Sequence, residues 1–126
     1  MDTSRNVLIL DDEAEFGRFV AKVASGLGHE ARAVTSSKAF RQAYAQSKPD
    51  TVVLDIVMPE EDGIEVIKWL AEQGYDAHVI VVSGYSPRYL RAARILGEIN
   101  GRMKISQLEK PAKLAELRDA LQSLSP

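Results

Sequence analysis

The chain has 126 residues, 45% of them hydrophobic and 27% charged, which fits a single domain with enough apolar mass for a real core. It contains no cysteine, so disulfide frameworks and thiolate metal sites are excluded, and its formal charge of −2 gives no reason to expect direct nucleic-acid binding by the whole domain. The opening MDTSRN lacks a basic segment leading into an apolar core, and no stretch approaches the roughly 20 apolar residues of a membrane span; a soluble, cytoplasmic chain with no membrane partner is expected.

In order, Asn6 to Leu10 reads as a first strand and Glu13 to Ser25 as a helix, with Phe16, Phe19, Val20 and Val23 at helical spacing and Gly26 and Gly28 closing it. His29 to Val34 is a short second strand. Ser36 to Gln46 is a second helix with Phe40, Ala43 and Tyr44 on one face, and Pro49 and Asp50 turn the chain into a third strand ending at Asp55. Pro59 and Gly63 shape the loop after it. Asp62 to Gln73 reads as a third helix, with Asp62 and Glu65 spaced as a capping box and Gly74 past its end. His78 to Val82 is a nearly all-apolar fourth strand. Ser86 and Pro87 start a fourth helix through Leu90, Ala93 and Leu96, Ile105 to Leu108 is a fifth strand, and Ala112 to Leu124 a fifth helix. There is no internal repeat and no flexible linker, so residues 1–126 are expected to form one domain.

Strands alternating with helices, and strands that are apolar throughout, predict an α/β fold: a doubly wound, five-stranded parallel sheet of order 2-1-3-4-5 with five helices, flavodoxin-like. In such sheets the functional crevice lies beyond the carboxyl ends of the strands. Those ends carry Asp11 and Asp12, Asp55, Ser83 and Lys110. Singly, most have a plainer explanation: Asp12 with Glu15 caps a helix, Ser83 makes a local turn, Lys110 is solvated. Asp55 does not, because no helix starts directly after it. Clustered carboxylates raise one another's pKa unless a cation neutralises them, and Mg2+, a hard ion that takes oxygen ligands beside a phosphate, suits the set. Asp55 is then a nucleophile toward phosphorus, with Lys110 balancing the phosphoryl charge and Ser83 bonding to it. Trp69, at helical spacing, is assigned to packing.

The acidic pair Asp11–Asp12, the DIVMP run with Asp55, Asp62–Gly63, Ser83–Gly84 and Lys110–Pro111 together resemble the receiver domain of two-component response regulators over essentially the whole chain. The resemblance implies a non-enzymatic signalling module in which Asp55 accepts a phosphoryl group from a sensor histidine kinase or a histidine phosphotransfer protein. It further implies that Asp12, Asp55 and the Val57 backbone carbonyl ligate Mg2+, with Asp11 acting through water. By the same resemblance Ser83 and Lys110 would bind the phosphoryl group and read its presence, and the Lys110–Pro111 bond is similar to one that is usually cis in the family. The switch is then read by an output domain or downstream protein, through a surface that is also compatible with a homodimer.

Three departures accompany it. Gln107 stands three positions before the lysine, where the family usually carries an aromatic residue or histidine, so the usual coupling from the hydroxyl residue is not assured. The stretch from Ser83 to Lys110 is several residues longer than in the commonest receivers, a weak similarity to receivers attached to cyclic-dinucleotide phosphodiesterases. Val57 and Tyr85 flank the acceptor where relatives are polar, which predicts slow autodephosphorylation, testable by the half-life of the phosphorylated protein. Arg88, Arg91 and Arg94 are read as a solvated basic face. Two alternatives remain: a metal-dependent phosphohydrolase, disfavoured because Val57 cannot act as acid or base, and a degenerate receiver that binds partners without phosphorylation.

Overall fold

A computed structural model describes residues 5–56, 58, 63–83, 91, 102–110 and 112–122. Five parallel strands, β1 (Asn6–Leu10), β2 (Glu30–Val34), β3 (Thr51–Asp55), β4 (His78–Ser83) and β5 (Lys104–Glu109), form one sheet of order β2-β1-β3-β4-β5, as the apolar strands predict. The described helices are α1 (Ala14–Gly26), α2 (Ser37–Gln46), α3 (Gly63–Glu72) and α4 (Leu114–Gln122). The helix expected from Ser86 lies outside the described residues except for Arg91, which is exposed. Predicted helix starts sit one or two residues early, because Glu13 and Ser36 are caps and not first-turn residues; Ser36 Oγ accepts from the Ala39 N–H at 3.2 Å.

Alternation within the buried strands divides the core into two layers. Leu8, Leu10, Val52, Leu54, Val79 and Val81 pack with Phe40, Val66, Ile67 and Leu70 of α2 and α3. The opposite parity, Val7, Ile9, Val53, Ile80 and Val82, packs with Val20 and Ala24 of α1 and Leu117 and Leu121 of α4. Trp69 belongs to the first layer, edge-on to Phe40 at 6.2 Å and to Tyr44 at 5.1 Å, in keeping with a packing role. The outer strands differ: β2 and β5 are half-exposed and carry charged residues, Glu30 and Arg32 on β2 and Lys104 and Glu109 on β5. Helix α3 closes with Gly74 at φ 74°, its N–H donating to the Ala71 carbonyl while Tyr75 N–H reaches Leu70, which ends the helix cleanly. No described helix is long and apolar enough to cross a membrane.

Candidate functional site

Parallel strands bring their carboxyl ends to one edge of the sheet, and register decides which side chains meet there. Asp11 follows β1, its N–H donating to the Val34 carbonyl at 3.2 Å. Asp55 ends β3 opposite Val82 of β4, and Ile56 N–H donates to the Val82 carbonyl at 3.1 Å, which holds the chain in line beyond Asp55. Asp11 and Asp55 have the strand parity of Ile9 and Val53, so both belong to the layer that faces α1 and α4. Asp11 is 2% and Asp55 5% exposed, whereas Asp12 is open to solvent.

The helix that follows β3 is set close against its end. Gly63 N–H donates to the Ile56 carbonyl at 2.9 Å, and a Cβ on Gly63 would lie 2.6 Å from Ile56 Cα and 2.8 Å from the Asp55 carbonyl oxygen. Only a residue without a side chain fits this approach.

Lys110, just beyond β5, reaches across the crevice. Its Nζ lies 2.9 Å from Asp11 Oδ2, 3.0 Å from Glu13 Oε1 and 3.5 Å from Asp55 Oδ2, and 4.6 Å from the Phe16 ring centre. Asp11 Oδ2 pairs with the Lys110 ammonium at 2.9 Å, while Asp11 Oδ1 accepts the Glu13 N–H at 2.8 Å. Burial raises the Asp11 pKa, only partly offset by Lys110 and the Glu13 N–H. Burial pulls Lys110 down, but its bonds to Asp11 and Glu13 and the charges of Asp11 and Asp55 outweigh it and raise its pKa, so the ammonium is fully charged at neutral pH.

Asp11, Asp12 and Asp55 each offer a carboxylate oxygen, and the three oxygens lie within 4.8 Å of one another. An all-oxygen, anionic donor set of this size fits a hard divalent cation. The sequence-expected Asp11, Asp12, Asp55 and Lys110 thus converge. The backbone of Ser83 closes β4 in register with Glu109, but the Ser83 side chain, Val57, Tyr85 and Pro111 lie outside what is described. The capping explanation for Asp12 does not hold: Glu13 is the cap residue of α1, without a side-chain cap bond. Gln107 is exposed on β5.

Two participants escaped the sequence reading. Spacing alone assigns Glu13 to the start of a helix and Phe16 to its apolar stripe, yet both contact Lys110. A third acidic residue directly after Asp11–Asp12 was the available signal. With Phe19, Lys110 and Ala112 they also line a shallow depression of about 400 Å³ beside the site.

A family model for the response regulator receiver domain matches residues 7–122. The chain is similar to the transcriptional regulatory protein PrrA of Mycobacterium tuberculosis, 36% identical over 119 residues that cover 91% of this chain and 47% of PrrA. It is 35% identical to the chemotaxis protein CheY of Thermotoga maritima over 80 residues, 63% of this chain and 67% of CheY. A third relative, the transcriptional regulatory protein GltR of Pseudomonas aeruginosa, is 30% identical over 66 residues, 52% of this chain and 27% of GltR. The chain therefore spans less than half the length of PrrA and of GltR. In fold it matches NtrX from Brucella abortus (TM-score 0.84, 24% identity, 96% of this chain and 26% of that one). A CheY-like receiver domain from Methylobacillus flagellatus also matches (TM-score 0.80, 24% identity, 97% and 99%). With the family model running from the first strand to the last described helix, the chain belongs to the response regulator receiver domains of two-component signalling systems.

Proposed function

We propose that residues 1–126 act as one receiver unit in which Asp55 takes a phosphoryl group from a phosphohistidine donor, either a sensor histidine kinase or a histidine phosphotransfer protein. The observation that carries this reading is the convergence of a charged Lys110 with buried Asp11 and Asp55 and exposed Asp12 at the carboxyl ends of the strands. An Asp55 carboxylate oxygen attacks phosphorus, the nitrogen–phosphorus bond of the donor breaks, and the imidazole leaves. Lys110, whose Nζ lies 3.5 Å from Asp55 Oδ2, offers its ammonium to the incoming phosphoryl oxygens. Asp12 and Asp55, with the Val57 carbonyl and with Asp11 through water, would hold Mg2+. Bound there, Mg2+ supplies positive charge against which carboxylate and phosphoryl oxygens can approach.

Phosphorylation adds about two negative charges to a site already carrying several carboxylates, and drawing Lys110 and Ser83 toward them is the means of switching an output surface. An output domain or a downstream protein then reads that surface. The test is intact mass after incubation with acetyl phosphate, with and without Mg2+, on the wild type and on Asp55→Asn. One phosphoryl group gained only when both Mg2+ and Asp55 are present supports the reading. No gain under any condition favours the phosphorylation-independent interaction module, to which the exposed Gln107 at the switch position otherwise lends the main support. Asp12→Asn in a calorimetric Mg2+ titration should weaken binding at least about tenfold without unfolding the exposed position.

A further inference from the structure

Lys110 has more partners than phosphoryl binding requires. Of the three carboxylates around it, Asp55 is the farthest at 3.5 Å, while Asp11 at 2.9 Å and Glu13 at 3.0 Å hold it toward the start of α1. The Phe16 ring, 4.6 Å away, lies on the same side. Asp11 is buried and tied to the Glu13 N–H, so it belongs to the fixed floor of the site. Glu13 is different, because its side chain is 67% exposed and can swing into solvent.

We propose, resting on the phosphoacceptor reading above, that Glu13 and Phe16 form a resting berth for Lys110, and that Glu13 is a positioning residue which competes with the phosphoryl group for the ammonium. Two physical effects act in the same direction. An N–H of Lys110 directed at Glu13 is withheld from a phosphoryl oxygen until the pair separates. Glu13 also lines the depression beside the site, where its charge repels a small anionic phosphodonor before contact. The unphosphorylated state is thereby favoured by a residue that need not touch the phosphoryl group. Because the pair is half in solvent, the effect is modest and sensitive to salt.

The experiment compares wild type, Glu13→Gln and Glu13→Asp in Mg2+. Two readouts are taken: the initial rate of phosphorylation by subsaturating acetyl phosphate, and the calorimetric affinity for beryllofluoride, a phosphoryl mimic that undergoes no transfer. Glu13→Gln should raise both by about two- to fivefold, the worth of one exposed ion pair. The gain should shrink as salt rises from about 0.05 to 0.5 M. Glu13→Asp, with the charge on a shorter arm, should fall between the two. A merely structural role would move the urea midpoint and leave the salt dependence of rate and affinity unchanged. If wild type and Glu13→Gln both take up the phosphoryl group with equal rates and affinities, or the variant is slower, the berth is overturned and the receiver reading stands. If neither protein takes up phosphoryl or beryllofluoride, both are overturned.

Discussion

Replacing Gly63 by alanine should damage the site through the backbone. The new Cβ would sit 2.6 Å from Ile56 Cα, where ordinary contact begins at 3.4 Å, so 3.4 − 2.6 leaves 0.8 Å that α3 or the end of β3 must yield. The obstructing atoms, Ile56 Cα, Asp55 O and Ile56 O, are all main chain, so no rotamer change relieves the clash. Overpacking of this kind costs roughly 1–3 kcal/mol, and alanine's better helix propensity, about 1 kcal/mol in a helix interior, offsets little of it at the first residue of α3. A net loss of about 1–3 kcal/mol is expected in urea denaturation. Retreat of Ile56 drags Asp55 with it, and a misplacement near 1 Å can cost on the order of 10²-fold in rate. Labelling by acetyl phosphate should therefore slow at least about tenfold under conditions where the variant remains folded. Gly26→Ala is the control, since nothing lies within 4 Å of the Cβ it would add. Wild-type stability and labelling in Gly63→Ala would refute the reasoning.

Three further outcomes follow from packing and burial. His78, 6% exposed with Nε2 2.6 Å from Ser106 Oγ, has its pKa lowered to about 4 by burial and by the charge of Lys104. Its unfolded value is near 6.5, so protons bind the unfolded chain more tightly. Its contribution to stability is intact above about pH 6.5 and declines toward pH 4 by about 1.4 kcal/mol per unit, which His78→Gln should abolish; parallel stability–pH curves would count against this. Trp69→Ala, which removes the rings' edge-on contacts with Phe40 and Tyr44, should cost about 2–4 kcal/mol and leave labelling per folded molecule unchanged. A slowed reaction there would mean that the α2–α3 layer acts on the site. Finally, Phe19 and Leu114 are large apolar residues left 37% and 46% exposed, and Phe19 lines the depression beside Lys110. On the proposed function a phosphohistidine donor approaches over this depression, so Phe19→Ala should reduce transfer from a histidine donor at least about fivefold and spare acetyl phosphate. Equal losses with both donors would place the defect in the site itself.

The sheet order was legible because β1, β3 and β4 are apolar on both faces, a pattern that only a covered parallel sheet explains. Asp55 was legible for a related reason: a carboxylate closing such a strand, with no helix beginning after it, needs a function. β5 proved longer than its apolar run, since Lys104 and Glu109 are exposed residues of an outer strand whose pairing is made by the backbone and leaves no hydropathy signal. Glu13 stayed hidden because its partner arrives from 97 positions away and the contact is ionic and exposed. The need for Gly63 was invisible in a similar way: a glycine at a helix start has many uses, and only the distance to Ile56 identifies this one.

Both outer strands bear on how copies of this molecule can meet. β2 exposes Glu30 and Arg32, with the Arg32 guanidinium donating to Gln46 at 2.7 Å, and β5 exposes Lys104, Gln107 and Glu109. A sheet edge is a template for adding a strand from another chain, and charged residues along it make such addition costly. Among the described residues, both edges therefore disfavour extending the sheet from one molecule into the next. Self-association, where it occurs, is then left to helix faces, which can meet without opening a backbone ladder.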